Sequence, residues 1–307
     1  MVTRCRRIRD KQGVCVCGLV MRLVAKLAED TTLTSAVTSL GDDVMVLRDK
    51  SRYVDVYESR SRRLLRRVLI NGLQEGTDMT SCTRHQCVYL ADSKAKVIYR
   101  LSADRTTLSK WSVGDSPLGL SVTSNHNLLV TCPVTRTLKE FTTDGRLVRE
   151  IVLERNVSSQ LWHAVELSTG LYAVSYGGYD DDIHKVCTVN ALGQIASCYG
   201  GRKGSSISQL NLPVHLLKVD DSVLVACLTN RRIIQLSSRM SYVGTIATRN
   251  DGLGGPFAMH YSEQMEQLYV ADNAYSYWTD SWTSGNVKVF DINIELTDDT
   301  RGSAVMQ

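Results

Sequence analysis

Leu-Tyr-Val-Ala-Asp at residues 268–272 is the clearest copy of a pattern that recurs along this 307-residue chain. The same apolar four-residue strand reads Val-Met-Val-Leu at 44–47 before Asp49, Val-Tyr-Leu-Ala at 88–91 before Asp92, and Leu-Leu-Val-Thr at 128–131 before Cys132. It continues as Leu-Tyr-Ala-Val at 171–174 before Ser175, and Val-Leu-Val-Ala at 223–226 before Cys227. Successive copies start 44, 40, 43, 52 and 45 residues apart. A period in the low forties built from short strands is the length of a four-stranded propeller blade. Six copies therefore predict an all-β, six-bladed β-propeller of four-stranded blades.

The flanking segments complete the blade. After each anchor comes a turn and an alternating strand, as in Lys96-Val-Ile-Tyr-Arg-Leu101, Leu138-Lys-Glu-Phe141, Arg232-Ile-Ile-Gln-Leu236 and Asn286-Val-Lys-Val-Phe-Asp291. Alternation of this kind marks a strand with one face buried against a neighbouring sheet. Before each anchor lies another apolar strand, opened by proline at Pro117, Pro213 and Pro256. Proline at the first residue of a strand sacrifices no ladder hydrogen bond.

The last repeat lacks an outermost strand, and a ring open between its first and last blades would leave bare edges. Gly18-Leu-Val-Met-Arg-Leu-Val-Ala-Lys-Leu27 precedes the first full repeat and alternates acceptably. It is expected to close the ring as that missing strand. Its Leu, Met, Ala and Lys content would also suit a short amphipathic helix, but the edge needs covering. The expected organisation is a basic N-terminal segment over 1–17, a propeller over 18–296 and a polar tail over 297–307.

Tyr199-Gly-Gly-Arg-Lys-Gly204, then Ser208-Gln-Leu-Asn-Leu-Pro213 and the Asn230-Arg-Arg-Ile233 strand, resemble the NHL repeat, as does Leu-Tyr-Val-Ala-Asp-Asn at 268–273. The resemblance covers roughly residues 36–296. It implies a propeller used for recognition, of the sort found behind RING and B-box domains in ubiquitin ligases. No RING spacing of cysteine and histidine is present, so the expectation is a non-catalytic, protein- or peptide-binding module linked to ubiquitin pathways by analogy alone. RNA-binding NHL propellers supply the alternative. A metal-dependent lactonase-like hydrolase is a third reading, which predicts an acidic cluster with asparagine in the channel.

Charge bears on that choice. Residues 1–30 hold seven basic and three acidic residues, an excess equal to the whole formal charge of +4. The remainder is balanced, which counts against a global nucleic-acid surface and against DNA in particular. The densest basic cluster of the body is Arg60, Arg62, Arg63, Arg66 and Arg67, the candidates for phosphate contact, since guanidinium suits phosphate.

No apolar run reaches the ~20 residues a membrane-spanning helix needs, and no secretory signal pattern opens the chain. Nine scattered cysteines, with Cys87, Cys187 and Cys227 placed as small core residues in strands, suggest no disulfide framework. The chain is therefore expected to be cytoplasmic, with no membrane partner.

Partner-binding candidates cluster in one long repeat. Tyr176, Tyr179, Asp180, Asp181 and Asp182 lie in an insertion of the fourth blade, and Trp162 and His163 fall where its first strand begins. His215 opens the first strand of the fifth. Each histidine by itself is best read as packing or as a channel hydrogen bond. Asp49, Asp92 and Asp272 recur after second strands and read as backbone caps rather than metal ligands. Linear signatures of catalysis, such as a nucleophile elbow, a phosphate-binding glycine loop or a His-Glu-x-x-His helix, are absent from the sequence. Accordingly no catalytic, cofactor-binding or metal-binding residue is expected, nor any enzymatic activity.

Overall fold

The computed structural model describes residues 8–9, 15–16, 19–104, 107–154, 160–276 and 281–294. Six four-stranded antiparallel sheets form a ring, each running from an inner to an outer strand. Inner strands are Thr34–Leu40, Gly76–Cys82, Leu120–Val122, Leu161–Glu166, Pro213–Val219 and Pro256–Ser262. Beyond the sheets, the described residues hold one 3₁₀ turn, Arg249–Asp251, capped by Thr248 and Asp251, and a two-stranded ladder of Ile8–Arg9 with Cys15–Val16. The polar tail over 297–307 lies outside the described residues.

Ring closure follows the expected scheme. Leu19–Asp30 is a strand, not a helix, and pairs antiparallel with Ser281–Ile294 as the outer strand of the sixth blade. The seam to the first blade is sealed by a reciprocal pair: Thr34 N–H donates to Asn273 Oδ1 at 2.9 Å, and Asn273 Nδ2 donates to the Thr34 carbonyl at 3.1 Å. Arg48 adds a third tie, donating to the carbonyls of Ala28 and Gly285 and to Thr34 Oγ1.

The second strand of each blade is the most buried, because it has a sheet face on either side. Cys87–Asp92 and Ser222–Cys227 are buried at every position. Tyr89, Tyr99, Tyr172, Tyr269 and Phe290 fill the space between neighbouring blades. Burying side chains of that size stabilises by about 1.5–3 kcal/mol each. Near the axis, hydroxyls stitch adjacent inner strands: Ser81 to the Ser39 carbonyl at 2.7 Å, Thr77 to Pro117 at 3.1 Å and Ser121 to Ala164 at 2.8 Å.

The aspartates act as backbone caps in two blades. The Asp92 carboxylate accepts from the N–H groups of Gln74, Glu75 and Ala95, and that of Asp272 accepts from Gly254 and Gly255 while pairing with buried Lys288. The first blade differs. Arg48, paired with Thr34, occupies the register at which Asp92 meets Gly76 and Asp272 meets Pro256. Asp49 lies one residue further on, where its N–H bonds Leu33 as Ser93 bonds Glu75.

Cysteine behaviour also departs from expectation. Cys187 and Cys198 face each other across the third and fourth strands of the fourth blade and form a disulfide. Disulfides persist in oxidising compartments, so cysteine usage no longer supports a cytoplasmic location. No helix among the described residues is long and apolar enough to cross a membrane.

Candidate functional site

Asp78 and His215 stand at matching positions of opposite blades, the second and the fifth. Each follows the bulge that opens its inner strand, pairing with Ala91 and Ala226 respectively. His163 enters from the fourth blade, within an equivalent irregularity between Leu161 and Ala164. These three side chains converge on the axis. His163 Nε2 lies 3.4 Å and His215 Nε2 4.0 Å from Asp78 Oδ2, and the two imidazole centroids are 4.0 Å apart. All three residues are buried.

Room for this convergence comes from the third blade. Gly119 precedes the Leu120 that bonds the cluster, and a Cβ there would stand 2.7 Å from both His163 Cδ2 and the Trp162 carbonyl oxygen. With no side chain at 119, the backbone of the third blade approaches closely enough to hold both partners. Leu120 N–H donates to Asp78 Oδ2 at 2.8 Å, while the Leu120 carbonyl lies 3.0 Å from His163 Nε2. Asp78 Oδ1 accepts from Met79 N–H at 2.8 Å. Two backbone donors thus fix the carboxylate before any ligand arrives.

The cluster forms the waist of the channel. On the side where inner strands begin, a pocket of about 20 Å³ is bounded by Thr77, Leu118, Trp162 and Phe257 along with the cluster itself. On the side where they end, a cavity of about 280 Å³ reaches His163 and His215 and carries Glu166, Lys218 and Glu263 among its lining groups. A further recess of about 390 Å³, sharing His260, Tyr261 and Glu263, extends it.

Burial, with the imidazoles of His163 and His260 beside it, pushes His215 well below the usual histidine range. Burial likewise pulls His260 down to about 4. His260 is held by hydroxyls, Thr38 Oγ1 at 3.3 Å and Ser39 Oγ at 2.9 Å. The Nδ1 atoms of His163 and His215 are buried and have no hydrogen-bond partner among the described residues.

The expected partner-binding residues divide. His163 belongs to the cluster. Trp162 is half-buried and donates from Nε1 to the Gly177 carbonyl at 2.6 Å. Tyr176 is buried in the core. Asp181 caps its own loop, accepting from Gly178 at 2.5 Å and Gln160 at 2.7 Å. Tyr179, Asp180 and Asp182 remain exposed. The arginine candidates occupy the outer rim of the first blade. Arg60, Arg62, Arg63 and Arg66 are exposed, and Arg67 Nε pairs with Asp55 at 3.0 Å.

Sequence reading placed His163 and His215 near the channel but did not join them to Asp78. Sequence distance hides the match, because Asp78 and His215 stand at different distances ahead of their apolar anchors; what they share is ladder register, opposite Ala91 and Ala226.

No protein-family model matches the sequence, and no curated protein matches it. The fold is similar to a structure of streptogramin B lyase, with 12% identity and a TM-score of 0.59 over 90% of this chain and 98% of the other. It is also similar to selenomethionine-substituted virginiamycin B lyase from Staphylococcus aureus, with 14% identity and a TM-score of 0.57 over 87% and 88% of the two chains. A catalytically inactive histidine-to-alanine variant of the latter, with quinupristin, matches at 11% identity and a TM-score of 0.58 over 89% and 99%. At such identities the likeness shows the fold, a six-bladed propeller.

One expectation is overturned. The absence of linear catalytic motifs does not make the chain a non-enzyme, since three proteins of similar fold are lyases by name. A propeller assembles its axis from separate blades, as Asp78, His163 and His215 demonstrate, so a contiguous motif is not the form a site takes there.

Proposed function

We propose that this chain is an enzyme acting on a small molecule at the channel waist, with Asp78, His163 and His215 carrying the chemistry. The observation that carries this reading is a buried carboxylate set against two imidazoles, 3.4 and 4.0 Å away, where two cavities meet. A protein core seldom buries such a group without a use for it, since desolvation must be offset by bonds. Burial pushes His215 well below the usual histidine range and so favours its neutral imidazole. Proton transfer between an imidazole and a bound molecule is chemistry this set can perform. Support also comes from the neighbour whose histidine-to-alanine variant is catalytically inactive. Glu166, Lys218 and Glu263 around the cavity of about 280 Å³ suit a small polar substrate carrying groups of both charges.

A test incubates the purified chain with a mixed panel of small polar molecules, quinupristin among them, and follows depletion by mass spectrometry. Consumption of at least one compound by the wild type and not by His215→Gln supports the reading. Consumption that persists unchanged in His163→Gln, His215→Gln and Asp78→Asn contradicts it.

A second reading concerns recognition. Tyr179 is 58% exposed beside exposed Asp180 and Asp182, a loop suited to a protein or peptide ligand. The NHL resemblance and its ubiquitin-linked analogy belong to this reading. RNA draws less support, because only Arg66 and Arg67 lie on the outer strand, beside exposed Leu64, Leu65 and Leu69, with Arg60, Arg62 and Arg63 in the turn before it.

A further inference from the structure

We infer that Asp78 Oδ2, His163 Nε2 and His215 Nε2 bind one divalent first-row transition ion, of the zinc class, with coordination positions left open toward the channel cavities. The inference rests on the proposed function for its place at the waist and revises its chemistry, since an imidazole nitrogen that ligates an ion has no lone pair left to take a proton.

Three observations point to it. The donor atoms of these residues lie within 4.8 Å of one another. Ligands at 2.0–2.1 Å in a tetrahedral shell stand about 3.3 Å apart, against 3.4 Å for His163 to Asp78 and 4.0 Å for His215 to Asp78. The set is therefore near ligating distance and needs only a small inward movement of His215.

The second observation is the donor chemistry. Two imidazoles and one carboxylate form the set that borderline divalent ions take, in preference to the all-oxygen shells of calcium or magnesium. Imidazole ligates as the neutral base. Three protein ligands, rather than four, leave room for water or substrate, as at catalytic zinc centres.

The third is unsatisfied capacity. Both imidazole Nδ1 atoms are buried without a partner among the described residues. With the lone pair on Nε2 given to an ion, Nδ1 would carry the proton. Meanwhile the backbone bonds from Leu120 and Met79 pin the carboxylate, the kind of outer support that orients a ligating group. His260 lies outside the group of convergent donor atoms and its ring nitrogens meet the Thr38 and Ser39 hydroxyls; His163 Nε2, now 3.0 Å from the Leu120 carbonyl, would exchange that contact for the ion.

The test is cobalt titration of the chelator-stripped full chain, read by visible d–d absorption and checked by zinc competition. One equivalent of Co²⁺ should raise the bands, and one of Zn²⁺ should remove them. His215→Gln and Asp78→Asn should weaken cobalt binding by more than the ~100-fold that loss of an outer-shell partner costs. Asp182→Asn and His126→Gln should leave it unchanged. Histidine ¹⁵N spectra of the wild type answer the same question without any variant, since zinc should shift Nε2 of two imidazoles. Absence of stoichiometric bands, bands that survive in folded His215→Gln, or spectra unmoved by zinc would overturn the inference. Loss of turnover in the variants of a chain that binds no cobalt would defeat the metal and retain the reaction site. Stoichiometric cobalt in a chain that consumes nothing would do the reverse.

Discussion

Asp78 and His215 face each other across the propeller axis from opposite blades, with Oδ2 and Nε2 4.0 Å apart. Matching register in the second and fifth blades brings them to one level, and His163 fills the interval from the fourth. The cluster closes the channel at its waist and leaves a cavity on each side.

Gly119 is predicted to be intolerant of a side chain. A Cβ would meet the Trp162 carbonyl oxygen and His163 Cδ2 at 2.7 Å, and Thr131 Oγ1 at 3.0 Å. Gly119→Ala should destabilise by about 1–3 kcal/mol and push His163 out of line with Asp78. Urea unfolding measures the first effect, and loss of cobalt absorption in the still-folded variant measures the second. Unchanged stability and unchanged metal binding would show that the close approach is not needed.

Lys288 is 4% exposed and its ammonium pairs with Asp272 and with the Gly252 carbonyl. Removing one partner of a buried pair strands the other charge, at a cost of about 3–5 kcal/mol. Lys288→Met should fall at the lower end of that range, because Asp272 keeps its bonds from Gly254 and Gly255. Chemical denaturation of the variant checks it.

Breaking the Cys187–Cys198 disulfide should lower stability by ~3 kcal/mol, the loop-closure figure for a loop of that size; the two cysteines are 11 residues apart. The double variant Cys187→Ala/Cys198→Ala should then melt identically with and without reductant. A wild type indifferent to reductant would show that the pair does not stay oxidised.

Stability should fall on mild acidification. His260 in the folded chain protonates at about 4, and an unfolded histidine at about 6.5; His215 is displaced in the same direction. The unfolded chain therefore binds more protons between those values, and stability drops as pH falls through that window. His260→Gln should flatten the decline, as read from melting temperatures between pH 7 and pH 4.

The fold was legible because each blade repeats its own evidence: the apolar second strand survives in all six, with Tyr269 or Val225 equally good at filling a two-sided core. Closure by residues 19–30 was legible from the arithmetic of a missing strand. The site was harder to read. Asp78, His163 and His215 are scattered over more than a hundred residues and look like ordinary polar residues until register is superposed. The bulges that turn them inward leave no mark in composition. Pairing of Cys187 with Cys198 was hidden for a similar reason, since an offset of a single residue on either strand would have turned one thiol to the opposite face. Arg48 displaced the expected aspartate because its reach ties three segments at the ring seam, a demand that arises only there.

The central claim rests on chemistry at the waist, and the most direct measurement is kcat/KM for a substrate found in the panel, compared across the wild type, Asp78→Asn, His163→Gln, His215→Gln and the rim control Arg66→Gln. The account predicts a loss of at least ~100-fold in the three waist variants, the low end for general acid–base groups, with Arg66→Gln unchanged. Waist variants that stay folded and retain wild-type kcat/KM would contradict it.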